Sequence, residues 1–305
     1  MATKRKAASS KTRSSSKSSA TRSSDRVGRF FRAFLLSAVS AFCATSYVIN
    51  PQWQNGALLD TLQAKLGELW PGASQASLVR APTGDLVKTS FAQCPQFFPA
   101  GQPPTVVVTQ PMRELCFSTF AVLHGASTRT PVLVAERLNR QMLARASGLQ
   151  RTDRFYAEAR LPKSERAELD DYRNSGYVRG HMAPAGDMSD GNAMAQSFSL
   201  ANMVPQDLKQ NSGPWNRIEQ DTRKYIMRAA GDVYVLTGPV YEPNPRVIGE
   251  RRVAVPSYLF KVVYDATTGR SWVHWQANNA QAKVGPPISY SEFVRRTGLH
   301  VLPSS

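Results

Sequence analysis

Short runs of alternating apolar and polar residues, many of them β-branched or aromatic, occur through the part of the chain that follows residue 100. Runs of this kind, bounded by glycine or proline, are typical of strands with one buried face. They predict strands at 105–109, 115–124, 132–135, 232–238, 253–264 and 272–275. Residues 136–176 mix charged and apolar residues without a clear period, which predicts loops with a short helix.

One segment between these strands repeats its apolar residues at helical spacing. The apolar face of this predicted helix consists of Trp215, Ile218, Tyr225, Ile226 and Ala229. Pro214 lies just before that face, so the helix either begins at Pro214 as its first residue or passes through it with a kink. Because strands flank the helix without regular βαβ alternation, the sequence predicts an α+β domain with a mostly antiparallel sheet.

The first 90 residues have a different composition. Residues 1–29 are serine-rich and hold nine Lys or Arg against one acidic residue, which predicts a disordered basic tail. The apolar run at 33–49 predicts an uncleaved signal-anchor or a cleaved signal peptide over 30–50, with a mitochondrial presequence as the third alternative. Leucines at helical spacing then predict a linker with a short helix over 51–90, followed by a folded domain over 91–305.

The chain of 305 residues carries a net charge of +16, and the basic tail holds only about half of that excess. A basic globular domain attracts polyanions, of which nucleic acid is the most common. Cys94 and Cys116 are the only cysteines after residue 50, and they predict one disulfide in an oxidising compartment. No Cys-x-x-Cys pair or Cys/His cluster occurs, which argues against a structural zinc site.

The candidate chemistry is concentrated in residues 179–223, where the sequence Arg-Gly-His-Met-Ala-Pro is followed by two asparagines, a glutamate and an arginine. Hydrolysis of a phosphodiester needs an activated water and neutralisation of charge on the phosphoryl oxygens. A neutral histidine such as His181 can act as the base. Mg²⁺ keeps several waters, so one carboxamide such as Asn211 can suffice as a protein ligand.

The order and spacing of these residues resemble the DNA/RNA non-specific endonucleases, the ββα-metal family of sugar-non-specific nucleases. Further matches lie at 128–131, 135–136, 235–239 and 255–261, so the resemblance covers roughly residues 94–300. It implies an α+β fold whose mostly antiparallel sheet carries a ββα-metal active-site motif.

The resemblance also implies a role for each matching residue. His181 matches the family's catalytic histidine, and Asn211 matches the asparagine that binds the metal directly. Asn202 matches the second asparagine of the site. Glu219 matches the glutamate that holds metal-bound water, and Arg223 matches the phosphate-facing arginine of the helix.

Two further arginines are implied as phosphate-facing residues. Arg179 matches the arginine that precedes Gly-His in the family. Arg154 is the best match for an arginine in an upstream loop, and Arg151 competes with it. Val178 stands where the family often has aspartate, which we expect to cost a supporting hydrogen bond but not activity.

The function implied is a metal-dependent endonuclease that hydrolyses DNA and RNA and leaves 5′-phosphate ends, with Mg²⁺ as the cofactor and Mn²⁺ as an alternative. A nucleic-acid-binding protein with a decayed site, tethered to a membrane, is one competing hypothesis. A phosphodiesterase that acts on smaller substrates is the other. The N-terminal features predict an extracytoplasmic protein, held at a membrane by residues 30–50 if they are not cleaved, or alternatively a mitochondrial one.

Overall fold

Strands make up most of the regular structure of residues 82–303, the part of the chain that the computed structural model describes. In chain order they are β1 (Leu86–Lys88), β2 (Thr105–Val107), β3 (Met112–Cys116), β4 (Phe120–Gly125), β5 (Thr130–Leu138), β6 (Val178–His181), β7 (Met203–Gln206), β8 (Val233–Val240), β9 (Val247–Ile248), β10 (Val253–Ala254), β11 (Tyr258–Asp265) and β12 (Ser271–Ala277).

The helices are shorter and lie between and after these strands. They are α1 (Arg140–Ala146), α2 (Leu169–Tyr172), α3 (Gly191–Ser197), α4 (Leu208–Gln210), α5 (Asn216–Ile226) and α6 (Tyr290–Thr297). A single π-helical turn, Asn211–Trp215, connects α4 to α5. No helix among residues 82–303 is long and apolar enough to cross a membrane.

Six antiparallel strands form the central sheet, in the order β12-β11-β8-β5-β4-β3. Strands β3, β4 and β5 follow one another as a meander, and β11 joins β8 to β12 in the other half. The two halves meet where β5 pairs with β8, with Val134 opposite Thr237. The predicted α+β class with a mostly antiparallel sheet is therefore confirmed.

Each face of the sheet has its own hydrophobic cluster, because successive side chains of a strand point to opposite faces. On one face, Phe120 and Val134 lie in a cluster with Trp215 and Ile218 from the helix that carries the candidate site. On the other face, the cluster contains Ala121, Leu133 and Phe260 from the strands, Phe98 from the segment before β2 and Phe293 from α6. The site helix is thus fixed to the sheet by its apolar face, as its periodicity predicts.

Two predicted strands are each divided in the structure. The prediction of one strand over 115–124 is wrong, because β3 and β4 are joined there by a tight turn. The N–H of Phe117 donates to the oxygen of Phe120 at 2.9 Å and their rings stack, so the apolar run continues through the turn without glycine or proline. The predicted strand at 253–264 is β10 and β11, with Pro256 between them, where the missing N–H ends strand pairing.

The described part of the domain starts before the predicted boundary at residue 91, because β1 pairs with β2 through Leu86 and Val107. The predicted basic tail at 1–29, the predicted signal or anchor at 30–50 and the predicted helix of the linker lie outside the described residues.

The predicted disulfide is present: Cys94 and Cys116 are bonded, and Cys94 is buried in the cluster beneath the sheet. A cross-link that closes a loop of this length stabilises a fold by roughly 3 kcal/mol, mainly by restricting the unfolded chain. We expect reduction to lower the free energy of unfolding by about that amount, measured by urea titration of oxidised and reduced protein. Two free thiols in peptides from native, unreduced protein would contradict the disulfide.

Candidate active site

Most of the predicted site residues lie on a β-hairpin with a long connection and on the helix that follows it. Strands β6 and β7 pair antiparallel, with His181 opposite Met203 and Gly180 opposite Val204. The chain then enters α4, whose first turn is capped by Asp207, since its side chain accepts from the N–H groups of Lys209 and Gln210. The hairpin and helix together form the ββα arrangement that the resemblance implies.

Gly180 is required by close packing within the hairpin. A Cβ atom at this position would lie 1.7 Å from Oε1 of Gln206, whose buried side chain donates to Gln210 at 2.6 Å. The space beside Gly180 is therefore filled by Gln206 and not by substrate. This non-local contact explains the glycine before His181.

Asn202 is fully buried, and its side-chain hydrogen bonds are all to backbone atoms. Its Oδ1 accepts from the N–H of Ala183 at 2.9 Å, and its Nδ2 donates to the oxygens of Ala183 and Ser197 at 2.9 Å each. Its amide thus fixes the backbone two residues after His181. Asn202, which matches the second asparagine of the family's site, does not line the cavity described below.

We expect Asn202→Ala to lower the free energy of unfolding by about 2–4 kcal/mol, because buried backbone groups lose their partners. Its turnover should fall, while the Mg²⁺ concentration for half-maximal rate stays unchanged. Urea denaturation and a metal titration measure the two effects. A raised metal requirement without loss of stability would instead make Asn202 part of the metal site.

The helix passes through Pro214 and does not begin there. Asn211 has right-handed helical torsions (φ −62°, ψ −52°), and its N–H donates to the oxygen of Asp207 at 2.9 Å. The π-helical turn accommodates Pro214, which has no N–H and would clash with the carbonyl four residues earlier in an α-helix. Asn211 is consequently held on the same continuous helical segment as Glu219 and Arg223.

A cavity of about 410 Å³ brings most of the predicted residues together. Of the residues identified from the sequence, those that line it are His181, Asn211, Glu219, Arg223, Arg179 and Arg151. One wall therefore comes from the hairpin and the opposite wall from the helix.

The His181 ring packs against two phenylalanines, which also contact each other. The ring centroid of Phe198 is 5.0 Å away, edge-on, and that of Phe155 is 5.8 Å away. Burial in this environment, helped by the charge of Arg151 and opposed by Asp153, lowers the pKa of His181 to about 3. The imidazole is therefore neutral at neutral pH, the state that a general base requires.

Because the pKa of His181 is lowered, the free energy of unfolding depends on pH in a definite direction. In the unfolded chain His181 binds a proton below its ordinary pKa of 6.5, whereas in the folded protein it stays neutral down to about 3. Its contribution therefore lowers the free energy of unfolding as pH falls from 6.5 towards 3. We expect His181→Asn to lose less stability than wild type between pH 7 and 4.5 in urea titrations. Equal losses would show that His181 is not held neutral.

Arg223 pairs with a residue that the sequence did not single out. Its Nη1 donates to Oδ1 of Asp187 at 2.9 Å, and Asp187 is almost fully buried. Within residues 82–303, Glu219 and Arg223 form no ion pair, although they share a helix face. Burial raises the pKa of Glu219 to about 7, with Lys261 opposing and Asp187 reinforcing the shift. Glu219 lines the cavity.

Two further buried ionisable residues lie on the sheet face beneath this helix. Glu136 on β5 and Lys261 on β11 are each 1% exposed, and Nζ of Lys261 donates to Oγ1 of Thr237 at 2.8 Å. Burial raises the pKa of Glu136, as does the charge of Asp187. These two groups act electrostatically on Glu219 from the side of the sheet. They lie near it only because distant strands pair in the sheet, which the local sequence does not reveal.

The structure distinguishes between the two upstream arginines. Arg151 lines the cavity, lies 5.3 Å from the Phe198 ring centroid and pairs with Asp153 at 2.9 Å. Arg154, the first choice from the sequence, is exposed and does not line the cavity. Arg179 does line it, with its guanidinium 4.2 Å from the ring centroid of Phe155.

The donor set suits a hard cation that keeps most of its water. The side-chain amide of Asn211 lines the cavity and makes no hydrogen bond to any described residue. The carboxyl of Glu219 lines the same cavity, which has room for several waters at about 30 Å³ each. Among residues 82–303 no group of three or more His, Cys, Asp or Glu could hold a metal.

The chain is similar to known proteins in both sequence and structure. The sequence profile of the DNA/RNA non-specific endonucleases matches residues 103–299. Among solved structures, a chain of the EndoG/EndoGI complex, described as showing the mechanism of EndoG inhibition, superposes with a TM-score of 0.58 at 26% identity. The match covers 69% of this chain and 90% of that one.

Curated relatives share the same region. The human mitochondrial nuclease EXOG (Homo sapiens) is 38% identical over 159 residues, which are 48% of this chain and 43% of EXOG. Nuclease 1, mitochondrial, of Schizosaccharomyces pombe is 36% identical over 47% of this chain and 48% of its own length. Human mitochondrial endonuclease G is 33% identical over 48% and 52%. The match spans about half the length of each relative.

Proposed function

Because the chain belongs to the DNA/RNA non-specific endonuclease family, we propose that it is a Mg²⁺-dependent endonuclease that hydrolyses phosphodiester bonds of DNA and RNA. One observation carries the proposal: a neutral, partly buried His181 shares one cavity with Asn211, Glu219 and arginines on both walls. A protein that only bound nucleic acid would need the arginines but not the base.

In the proposed mechanism, His181 takes the proton of the attacking water, since its imidazole is neutral and faces the cavity. Arg179 and Arg151 neutralise the phosphate from the hairpin side, and Arg223, oriented by Asp187, does so from the helix side. Asn202 keeps the backbone after His181 in place.

Asn211 would hold the cation directly, and Glu219 would accept hydrogen bonds from its waters. When bound, Mg²⁺ supplies stabilisation of the negative charge that develops on the phosphoryl and leaving oxygens. Mn²⁺ has the same preference for oxygen ligands and is the alternative cofactor. The family resemblance implies 5′-phosphate products.

Labelled DNA and RNA oligonucleotides, incubated with Mg²⁺ and with excess chelator, test this function. We expect both to be cut only with the metal and to leave 5′-phosphate ends. Binding without cleavage would favour the nucleic-acid-binding alternative. Hydrolysis confined to a small diester such as bis(p-nitrophenyl) phosphate would favour the phosphodiesterase.

For the cellular location, the names of the relatives place those proteins in mitochondria. They support the mitochondrial alternative for this chain over the extracytoplasmic, membrane-anchored one. Mapping the N-terminus of the mature protein and fractionating cells distinguish a presequence from a signal peptide or an anchor at 30–50.

A further inference from the structure

A buried carboxylate that has no part in the proposed mechanism lies beside the residues that pack on His181. Glu158 is in the segment between α1 and α2, and its side chain is 6% exposed. Its Oε1 accepts from Nε of Arg160 at 2.8 Å, and its Oε2 accepts from Nη2 of Arg160 and Oγ of Ser199 at 3.0 Å each. Burial raises the pKa of Glu158, but the hydrogen bonds and charge of Arg160 outweigh it, so the pKa lies below its usual range and the group is ionised at neutral pH.

The hydrogen bond between Glu158 and Ser199 joins two segments that are 41 residues apart in the chain. The same segments pair in a single parallel β-bridge between Tyr156 and Ser199. In this bridge the N–H of Tyr156 donates to the oxygen of Phe198 at 3.3 Å, and the N–H of Leu200 donates to the oxygen of Tyr156 at 2.8 Å. The two segments are therefore fastened both through their backbones and through a charge-assisted hydrogen bond, which is stronger than a neutral one.

The joined segments supply the two rings that pack on His181. Phe155 comes from the first segment and Phe198 from the second, and their ring centroids lie 5.8 and 5.0 Å from that of the imidazole. Nε2 of His181 has no hydrogen-bond partner among residues 82–303, so packing against these rings, and not a bond to that nitrogen, orients the imidazole. Orientation matters for a base, because a misplacement of about 1 Å can cost roughly 100-fold in rate.

The second segment also continues to Asn202. Oγ of Ser199 accepts from the N–H of Ala201 at 3.3 Å, at the start of the 3-10 turn Leu200–Asn202. The amide of Asn202 in turn fixes the backbone two residues after His181. Ser199 is thus connected both with the aromatic contacts of His181 and with the backbone that follows it.

We propose that Glu158 is a positioning residue for His181. Through Ser199 it holds the two phenylalanines where they orient the imidazole towards the attacking water. Neither Glu158 nor Ser199 lines the catalytic cavity, so their loss should slow the chemical step without weakening the binding of substrate or metal. The inference rests on the proposed nuclease function.

Two variants cut this connection. Ser199→Ala removes one hydroxyl, and Glu158→Gln keeps the shape of the side chain but removes its charge. Each should lower kcat for a labelled DNA oligonucleotide by about 5- to 100-fold, because the base is displaced but still present. KM and the Mg²⁺ concentration for half-maximal rate should stay at their wild-type values, a separation that a role in stability alone would not produce.

Asp265→Asn is the matched control, since Asp265 is a buried carboxylate that accepts from the hydroxyl of Tyr225 at 2.6 Å and lies outside the cavity. It should lower the free energy of unfolding in urea, as Glu158→Gln does, but leave kcat unchanged. A second check adds Ser199→Ala to His181→Ala. With enzyme in excess, the slow residual rate should not fall further, because no base remains to be oriented.

Wild-type kcat in both single variants would overturn the positioning role, as would a further loss in the double variant or an equal loss of kcat in Asp265→Asn. In these cases the nuclease function stands, because wild type cleaves. If Glu158→Gln does not fold, Ser199→Ala carries the test alone, since it removes only one hydroxyl. Wild-type protein that cleaves neither DNA nor RNA would refute the proposed function itself, and the positioning role with it.

Discussion

Replacing His181 with alanine should lower the turnover number for nucleic-acid cleavage by at least about 100-fold, the usual scale for the loss of a general base. The side chain is the proposed base, in a cavity whose other polar side chains carry carboxyl, amide, hydroxyl and guanidinium groups. The fold should survive, because the ring contacts Phe155 and Phe198 at the edge of the core and makes no structural hydrogen bond within the described residues. Single-turnover cleavage, with circular dichroism as a check of folding, measures this.

His300→Ala is the matched control, since His300 is exposed and lies outside the cavity. It should cleave at the wild-type rate. If His181→Ala, prepared free of contaminating nuclease, retained activity comparable with His300→Ala, the assignment of the base would fail.

Replacing Asn211 with alanine should raise the Mg²⁺ concentration for half-maximal rate by more than tenfold. Loss of even an outer-shell partner weakens metal sites by about 10- to 100-fold, and Asn211 is proposed to contact the cation directly. A cation otherwise held by waters and phosphate has few protein ligands to compensate. Rate measured against Mg²⁺ concentration gives the shift.

Asn192→Ala provides the comparison, because Asn192 is an exposed residue of α3 outside the cavity. Its metal titration should match wild type. An unchanged titration for Asn211→Ala would move the ligand role away from this residue and would leave Glu219 as the next candidate.

The features that the sequence predicts well are local ones. The apolar period of the site helix identifies the face that packs on the sheet, and Trp215, Ile218 and Ile226 are fully or almost fully buried. The family resemblance is confirmed by the profile match over 103–299. The spacing of apolar residues along a helix can be recognised without knowing which segments pack against it, because that spacing follows from the geometry of the helix alone.

What the sequence does not predict depends on contacts between distant segments. Asp187, 36 residues from Arg223 in the chain, becomes its partner only when the turn after β6 meets the helix. Gln206 explains Gly180 only once the hairpin pairs. From the sequence, the helix can either begin at Pro214 or pass through it with a kink, since the π-helical turn has no periodic signal of its own.

The choice between Arg151 and Arg154 also depends on contacts between distant segments. Both lie in an irregular segment whose backbone direction no hydrophobic period reveals. Only the folded chain shows that Arg151 lies near His181, where its charge helps to lower the pKa of that imidazole.

Cleavage of covalently closed circular DNA tests the central claim most directly, because only an endonuclease can open a molecule without ends. With Mg²⁺, wild-type protein should convert the closed circle to nicked and linear forms. Excess chelator should stop the reaction, and added Mg²⁺ should restore it. A circle that is bound but stays closed, or one that is cut equally well with the chelator present, would contradict a metal-dependent endonuclease built around His181 and Asn211.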